Sequence, residues 1–164
     1  MFDKFGEFNS AEELNRAAEG LKAEGDIKSI YVLAEENGID KDDVDEYIDG
    51  YAPELAGLYM AAAGRIAVQE AEHKKEADTT AMALKIITMT LKGMIQEDAV
   101  AAAVMQKGKR IKGVYDVMRD DASKNRSGNM GMVCGTDEDL RSIIRSYFLE
   151  GESSALKCIA ELRK

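Results

Sequence analysis

The fold is decided by residues 55–67, LAGLYMAAAGRIA. Apolar side chains recur there three or four positions apart, which is typical of one face of an α-helix. Pro53 suits the first turn of such a helix, because the N–H that a proline lacks would have no helical partner there. The charged stretch 70–76 marks the far end. We therefore predict a long central helix that begins near Pro53.

Capping signals divide the chain on the amino-terminal side of this helix. Ser10 and Glu13 have the spacing of a capping box, in which each residue satisfies a backbone N–H of the other. Asp26 and Asp40 are placed to cap two further short helices, each of which ends at a glycine. These signals predict a compact three-helix module over residues 1–52.

The carboxyl-terminal part, residues 53–164, is predicted to form the main helical bundle. Beyond the central helix, start signals occur at Asp78, near residues 97 and 109, at Thr136 and near the carboxyl terminus. The glycines of residues 125–135 indicate an irregular loop. The helix that follows Asp78 is expected to face the core with five apolar side chains: Met82, Ile86, Met89, Leu91 and Met94. The predicted class is all-α, a multi-helix bundle with one glycine-rich irregular loop.

Composition excludes several broad classes of protein. Apolar residues make up 45% of the 164 residues, which argues against wholesale disorder. No uncharged stretch of the sequence, 99–106 included, is long enough to span a bilayer. Two cysteines cannot build a disulfide framework, and the charged amino-terminal residues do not resemble a signal peptide. We expect a cytoplasmic protein without membrane association.

Charge is distributed unevenly along the chain. Residues 1–54 hold 16 acidic and 5 basic side chains, whereas residues 55–164 hold 15 acidic and 17 basic ones. The densest acidic part supplies a candidate partner-binding surface, which consists of Glu35, Glu36, Asp40, Asp42, Asp43, Asp45, Glu46 and Asp49. A basic stretch supplies candidate contacts to nucleic acid at Lys109, Arg110, Lys112 and Arg119.

The acidic stretch has three interpretations. Neither register of residues 40–56 places oxygen ligands, glycine and glutamate as a calcium-binding EF-hand loop requires. Carboxylates on rigid helices can instead imitate phosphates and occupy a basic nucleic-acid-binding groove of a protein partner. The simplest alternative is a solvated face that keeps the protein soluble.

The basic stretch and the single histidine carry weaker signals. The four cations could contact phosphates, but with a net charge of −9 direct nucleic-acid binding is disfavoured, and balance against the acidic module is the simpler reading. His73 has neither a second histidine nor cysteines at metal-ligand spacing, so we expect it at the surface and predict no metal. No catalytic or nucleotide-binding motif occurs, so we expect neither an enzyme nor a cofactor.

Four segments of the carboxyl-terminal part resemble the PcfK-like family. They are GVYDVM at 113–118, ASK at 122–124, GMVCGTDED at 131–139 and YFLE at 147–150. The resemblance covers residues 109–150. The helix after the glycine-rich turn has Ile143-Ile144-Arg145-Ser146 where the family usually has a tryptophan.

The resemblance implies a protein of a conjugative element or phage that acts inside a bacterial host cell. The family includes inhibitors of the RNA-guided DNA nuclease of type II CRISPR systems. The resemblance therefore implies a non-enzymatic anti-CRISPR inhibitor, which we expect to block such a nuclease through the acidic surface. The alternative is a conjugation or plasmid accessory that contacts nucleic acid through its basic half. Self-association of a helical module is a further possibility.

Overall fold

A computed structural model describes residues 4–125 and 135–163. Within these residues the chain forms helices and no strands, which confirms the all-α class. The helices are α1 (Ala11–Ala23), α2 (Ile27–Glu36), α3 (Lys41–Asp49), α4 (Leu58–His73), α5 (Asp78–Met94), α6 (Asp98–Met105), α7 (Ile111–Lys124), α8 (Asp137–Glu150) and α9 (Glu152–Leu162). Most of the predicted glycine-rich loop, residues 126–134, lies outside the described residues.

Several predicted caps are confirmed, with differences in detail. Ser10 and Asp26 accept hydrogen bonds from the backbone N–H groups three residues on, and Thr136 forms a complete capping box with Asp139. The Glu13 carboxylate reaches back to the N–H of Asn9, one residue before the cap. Asp40 stands at the N-cap of α3 without a side-chain capping bond.

The predicted start of the central helix is wrong. Pro53 lies in an irregular segment, and α4 begins only at Leu58. The segment is held by the Asn15 side chain, which donates to the carbonyl oxygen of Ala56 at 2.8 Å and accepts from its N–H at 3.0 Å. These two bonds use backbone groups of Ala56 that a helix starting at Pro53 would need.

The core is formed where α4, α5 and α8 meet the shorter helices. Helix α4 packs against α1, α5 and α6, and α8 packs against α5, α6 and α9. Their inward faces contribute side chains with no exposed surface, among them Ile66, Leu84, Leu91, Ile143 and Ile144. This single hydrophobic cluster continues into α1–α3, so the amino-terminal helices are covered by the same core.

The prediction for the inward face of α5 is wrong at three of its five residues. Leu91 and Met94 are buried, but Met82, Ile86 and Met89 are 68%, 49% and 63% exposed. Leu84 and Ile87 take the core-facing positions together with Leu91 and Met94. Both faces of this helix are apolar, so periodicity alone could not decide which one meets the core.

The amino-terminal segment is fastened to the bundle by a buried ion pair. Arg65 of α4 is 1% exposed, and its guanidinium contacts the Glu7 carboxylate and donates to the carbonyl oxygen of Phe8 at 2.7 Å. Arg110 donates to the same carboxylate through two bonds of 2.5 and 3.0 Å. Glu7 therefore joins the segment before α1 to both α4 and the start of α7.

Two glycines allow the end of α2 to lie directly on α4. A Cβ on Gly64 would clash with the carbonyl oxygen of Asn37, and a Cβ on Gly38 would clash with backbone atoms of Gly64. Gly38 also has a φ of +67°, which side chains other than glycine rarely adopt. The two backbones can meet only because neither residue has a side chain.

We expect Gly64→Ala to lower the free energy of unfolding by roughly 1–3 kcal/mol or more, because the added methyl group meets backbone that cannot rotate away. Urea denaturation measures the change. Gly20→Ala is the matched control, since Gly20 lies in α1 with open space around its Cα. That variant should gain about 0.5–1 kcal/mol. Equal effects of the two substitutions would contradict the proposed close contact.

We expect Glu7→Gln to lower the free energy of unfolding by about 2–3 kcal/mol, because the buried Arg65 loses the charge of its partner. The same denaturation experiment applies, with Glu19→Gln as the control for loss of an exposed carboxylate. Unchanged stability of Glu7→Gln would show that the ion pair does not hold the amino-terminal segment in place.

Candidate functional site

Helix α3 displays three acidic side chains on one exposed face. Asp42, Glu46 and Asp49 are all exposed, at positions i, i+4 and i+7. Residues three and four apart are neighbours on a helix surface, with about 5–6 Å between Cβ atoms. Buried Val44 and Tyr47 hold the opposite side of α3 against the core. We call the row Asp42–Glu46–Asp49 the acidic face.

Two of the other predicted acidic residues extend this region toward α2. Glu35 and Asp40 are exposed and line one shallow cavity of about 300 Å³, together with Tyr31 and Lys41. The α2–α3 turn brings them together, because the buried Ile39 anchors that turn to the core. Asp43 is half-buried next to the same turn.

Asp45 is already neutralised by its neighbours. Lys41 donates to Asp45 at 2.6 Å from the preceding turn of α3, and the Tyr31 hydroxyl donates to the second oxygen. The hydrogen bond from Lys41, followed by that from Tyr31, lowers the pKa of the Asp45 carboxyl. The bond to Asp45 in turn raises the pKa of the Tyr31 hydroxyl. Asp45 therefore adds little charge to the acidic face.

Glu36 also has an internal role. Its carboxylate accepts from the backbone N–H of Lys4 at 2.7 Å and from that of Phe5 at 3.1 Å. It thus fastens the amino-terminal segment to the end of α2. Of the eight predicted acidic residues, Glu36 and Asp45 serve the fold, whereas the acidic face has no ion-pair partner among the described residues.

All four predicted basic contact residues have partners within the protein. Arg110 binds Glu7, and Lys109 donates to the carbonyl oxygen of Tyr147 at 2.9 Å. Asp116 contacts Lys112 at 3.1 Å and Arg119 at 3.2 Å. Arg119 also binds its neighbour Asp120 at 2.8 Å.

Tyr115 lies between two of these basic side chains. The Lys112 ammonium and the Arg119 guanidinium each lie 5.7 Å from the centre of its ring. The ring is therefore engaged by internal cation–π contacts, in the position where a nucleic-acid base would need to stack.

The expectation that His73 lies at the surface is wrong. Its side chain is only 9% exposed and lines a cavity of about 310 Å³ between α4 and α5, beside Lys74 and Lys85. Its Nδ1 is buried without a hydrogen-bond partner among the described residues. Burial lowers the pKa of the imidazole, and the neighbouring Glu72, Glu76 and Glu70 only partly oppose this shift.

Arg65 is the residue that the sequence analysis missed. It is the only charged residue between Glu54 and Glu70, inside the apolar stretch that forms α4. A lone charge in such a stretch indicates a buried side chain that needs a charged partner. That signal could have predicted that Arg65 is buried and paired, but Glu7 lies 58 positions away in the chain and no local pattern identifies it as the partner.

The described residues contain no group of three or more His, Cys, Asp or Glu side chains arranged to hold a metal ion. In the same residues no helix is both long and apolar enough to cross a membrane. Comparison of the chain with family models, with curated proteins and with solved structures gives no match.

The buried imidazole predicts acid sensitivity of folding. Its pKa is lowered in the folded state, so the unfolded chain binds the proton more readily, and stability is lost as the pH falls below the ordinary histidine value of about 6.5. His73 is the only histidine, so few other side chains titrate in that window. Urea denaturation at a series of pH values should show a decline just below this value in the wild type.

The variant His73→Phe is the control for this effect. It should keep its stability across the same window and lose it only where carboxylates become protonated. A decline of equal size in both proteins would assign the acid sensitivity to other groups.

Proposed function

We propose that this protein is a non-enzymatic inhibitor that binds a protein partner through the acidic face of α3. The partner would have a basic groove that normally holds nucleic acid. The most concrete version, which follows from the resemblance of residues 109–150 to the PcfK-like family, is an anti-CRISPR protein that blocks a type II RNA-guided DNA nuclease. Such a protein would act in the bacterial host cell.

The observation that carries the proposal is the contrast between the two charged regions. The acidic face displays three carboxylates that have no ion-pair partner among the described residues, whereas every predicted basic contact residue already has an acidic, carbonyl or aromatic partner. An approaching partner therefore meets uncompensated negative charge on α3, and it meets largely compensated charge near α7.

The interaction would be electrostatic in origin. RNA-guided nucleases hold DNA through positively charged channels that contact the backbone. Carboxylates fixed on a helix can compete for such a channel, because ordering them on binding loses less entropy than ordering a flexible tail. The interaction should weaken with salt, since the Debye length falls from about 10 Å at 0.1 M to about 3 Å at 1 M.

A conjugation or plasmid accessory protein is the alternative from another class. It would need Lys109, Arg110, Lys112 and Arg119 to leave their internal partners and bind phosphates. A gel-shift experiment with nonspecific DNA at low salt separates the two functions, because the inhibitor should not shift the DNA and the accessory protein should.

The direct experiment measures DNA cleavage by a panel of purified type II RNA-guided nucleases with and without this protein. We expect protection against at least one nuclease at low salt and weaker protection at high salt. Absence of protection across a varied panel would overturn the anti-CRISPR version.

The variant Asp42→Asn/Glu46→Gln/Asp49→Asn tests the acidic face itself. It should raise the concentration needed for inhibition by about tenfold or more, because three charges that meet the groove are lost. The matched control, Asp98→Asn/Glu152→Gln/Glu161→Gln, removes three exposed acidic charges on other helices and should keep most of the inhibition. Equal loss in both variants would mean that only net charge matters.

A further inference from the structure

Helix α5 leaves a row of large apolar side chains in contact with solvent. Met82, Ile86 and Met89 are 68%, 49% and 63% exposed and lie on one side of the helix. Single exposed apolar residues are common on protein surfaces, but a contiguous row is typical of an interaction site. We call these three residues the α5 stripe.

An apolar groove continues from the α5 stripe. It has a volume of about 330 Å³ and lies between α5, α7 and α8. Its walls include Ala83 and Ile86 of α5, Met118 and Ala122 of α7 and Leu140 of α8. None of the described residues covers the stripe, and the stripe and groove together form one apolar face.

The spacing of the stripe is that of a coiled-coil seam. Steps of four and then three residues separate Met82, Ile86 and Met89, as between the d, a and d positions of a heptad. Thr79 occupies the preceding a position, and the small Ala83 lies beside the seam, where it allows another helix to approach closely. The pattern fits a helix packed alongside α5.

We propose that the occupant of this face is a second copy of the chain, with the two α5 helices paired antiparallel about a twofold axis. In the heptad that the stripe defines, Asp78 and Lys92 occupy the same flanking position two heptads apart. Antiparallel pairing brings such positions of the two helices together. Met82 of each copy then packs against Ile86 of the other.

Charge complementarity distinguishes this arrangement from others. Each Asp78 faces Lys92 of the second copy, so the twofold axis creates two ion pairs. Lys92 is 46% exposed and contacts Glu70 at 2.6 Å, and its ammonium has further donors for a second carboxylate. In a parallel pairing each of these flanking positions lies opposite the position five residues further along the second copy, so Asp78 would face the uncharged Ala83 and Lys92 would face a position beyond the end of α5 at Met94.

One contact opposes the dimer. Lys85 lies midway between Asp78 and Lys92, so it comes near Lys85 of the second copy. This side chain is exposed, and its long aliphatic chain can carry the ammonium into solvent. Because the interface uses one helix and its groove, we expect a dimer in the micromolar range rather than an obligate one.

The first experiment measures molar mass by sedimentation equilibrium from low micromolar to several hundred micromolar protein. The mass should rise from 18.0 kDa toward twice that value. Ile86→Glu should keep the protein monomeric, whereas Tyr51→Glu, at an 83% exposed apolar residue elsewhere, should leave the dimer intact. A monomer at every concentration, or a dimer that Ile86→Glu does not affect, would overturn the proposal.

The second experiment exchanges the charges that set the orientation. Asp78→Lys and Lys92→Asp should each weaken the dimer by about tenfold, because each turns both ion pairs into like-charge contacts. The double variant should restore the wild-type association. A change in the Lys92–Glu70 contact alone could not produce that rescue. A double variant that associates as weakly as the single variants would overturn the antiparallel arrangement. These measurements are independent of nuclease inhibition.

Discussion

The contact between Glu7 and the buried guanidinium of Arg65 sets the layout of the molecule. A charge with 1% exposure inside an apolar helix is tolerated only with a partner and satisfied hydrogen bonds. Glu7 supplies the charged partner, and Glu7 and the carbonyl oxygen of Phe8 each accept a hydrogen bond from the guanidinium, so the segment before α1 must cross α4 at this point. The position of α1, and through it that of α2 and α3, follows from this crossing. Arg110 binds the same carboxylate, which ties the start of α7 to the crossing.

This arrangement also decides which charges remain for a partner. The amino-terminal acids that balance the basic half are Glu7 and Glu13, which contacts Lys107 at 3.9 Å, while Asp116 and Asp120 balance α7 locally. On α3, Asp42, Glu46 and Asp49 have no ion-pair partner among the described residues. The asymmetry visible in the sequence therefore becomes an asymmetry of surfaces, with an acidic row on α3 and an apolar row on α5. Two different surfaces can serve two different contacts.

The sequence correctly predicted features that depend only on residues close together in the chain, such as helix caps. Ser10, Asp26 and Thr136 cap helices as expected, because a cap depends only on the next three residues. The sequence also pointed to the exposed carboxylates of α3. Three features depended on distant residues and could not be predicted: Asn15 holds Ala56 outside α4, one of the two apolar faces of α5 and not the other meets the core, and His73 is covered by α5. Predicting the roles of Glu36 and Asp45 in the fold would have required the positions of the amino-terminal segment and of Tyr31.

The contact between Gly38 and Gly64 has a consequence for how force passes through the molecule. Side chains at a helix contact can change rotamer and absorb small displacements, but two touching backbones have no rotamers to change. The turn between α2 and α3 is therefore held rigidly against α4 by a backbone-to-backbone contact. A force on the carboxylates of α3 is therefore transmitted to α4 without being absorbed by side-chain rearrangement at this contact. The protein can present those carboxylates to a partner at a fixed angle, without reorganising its own core.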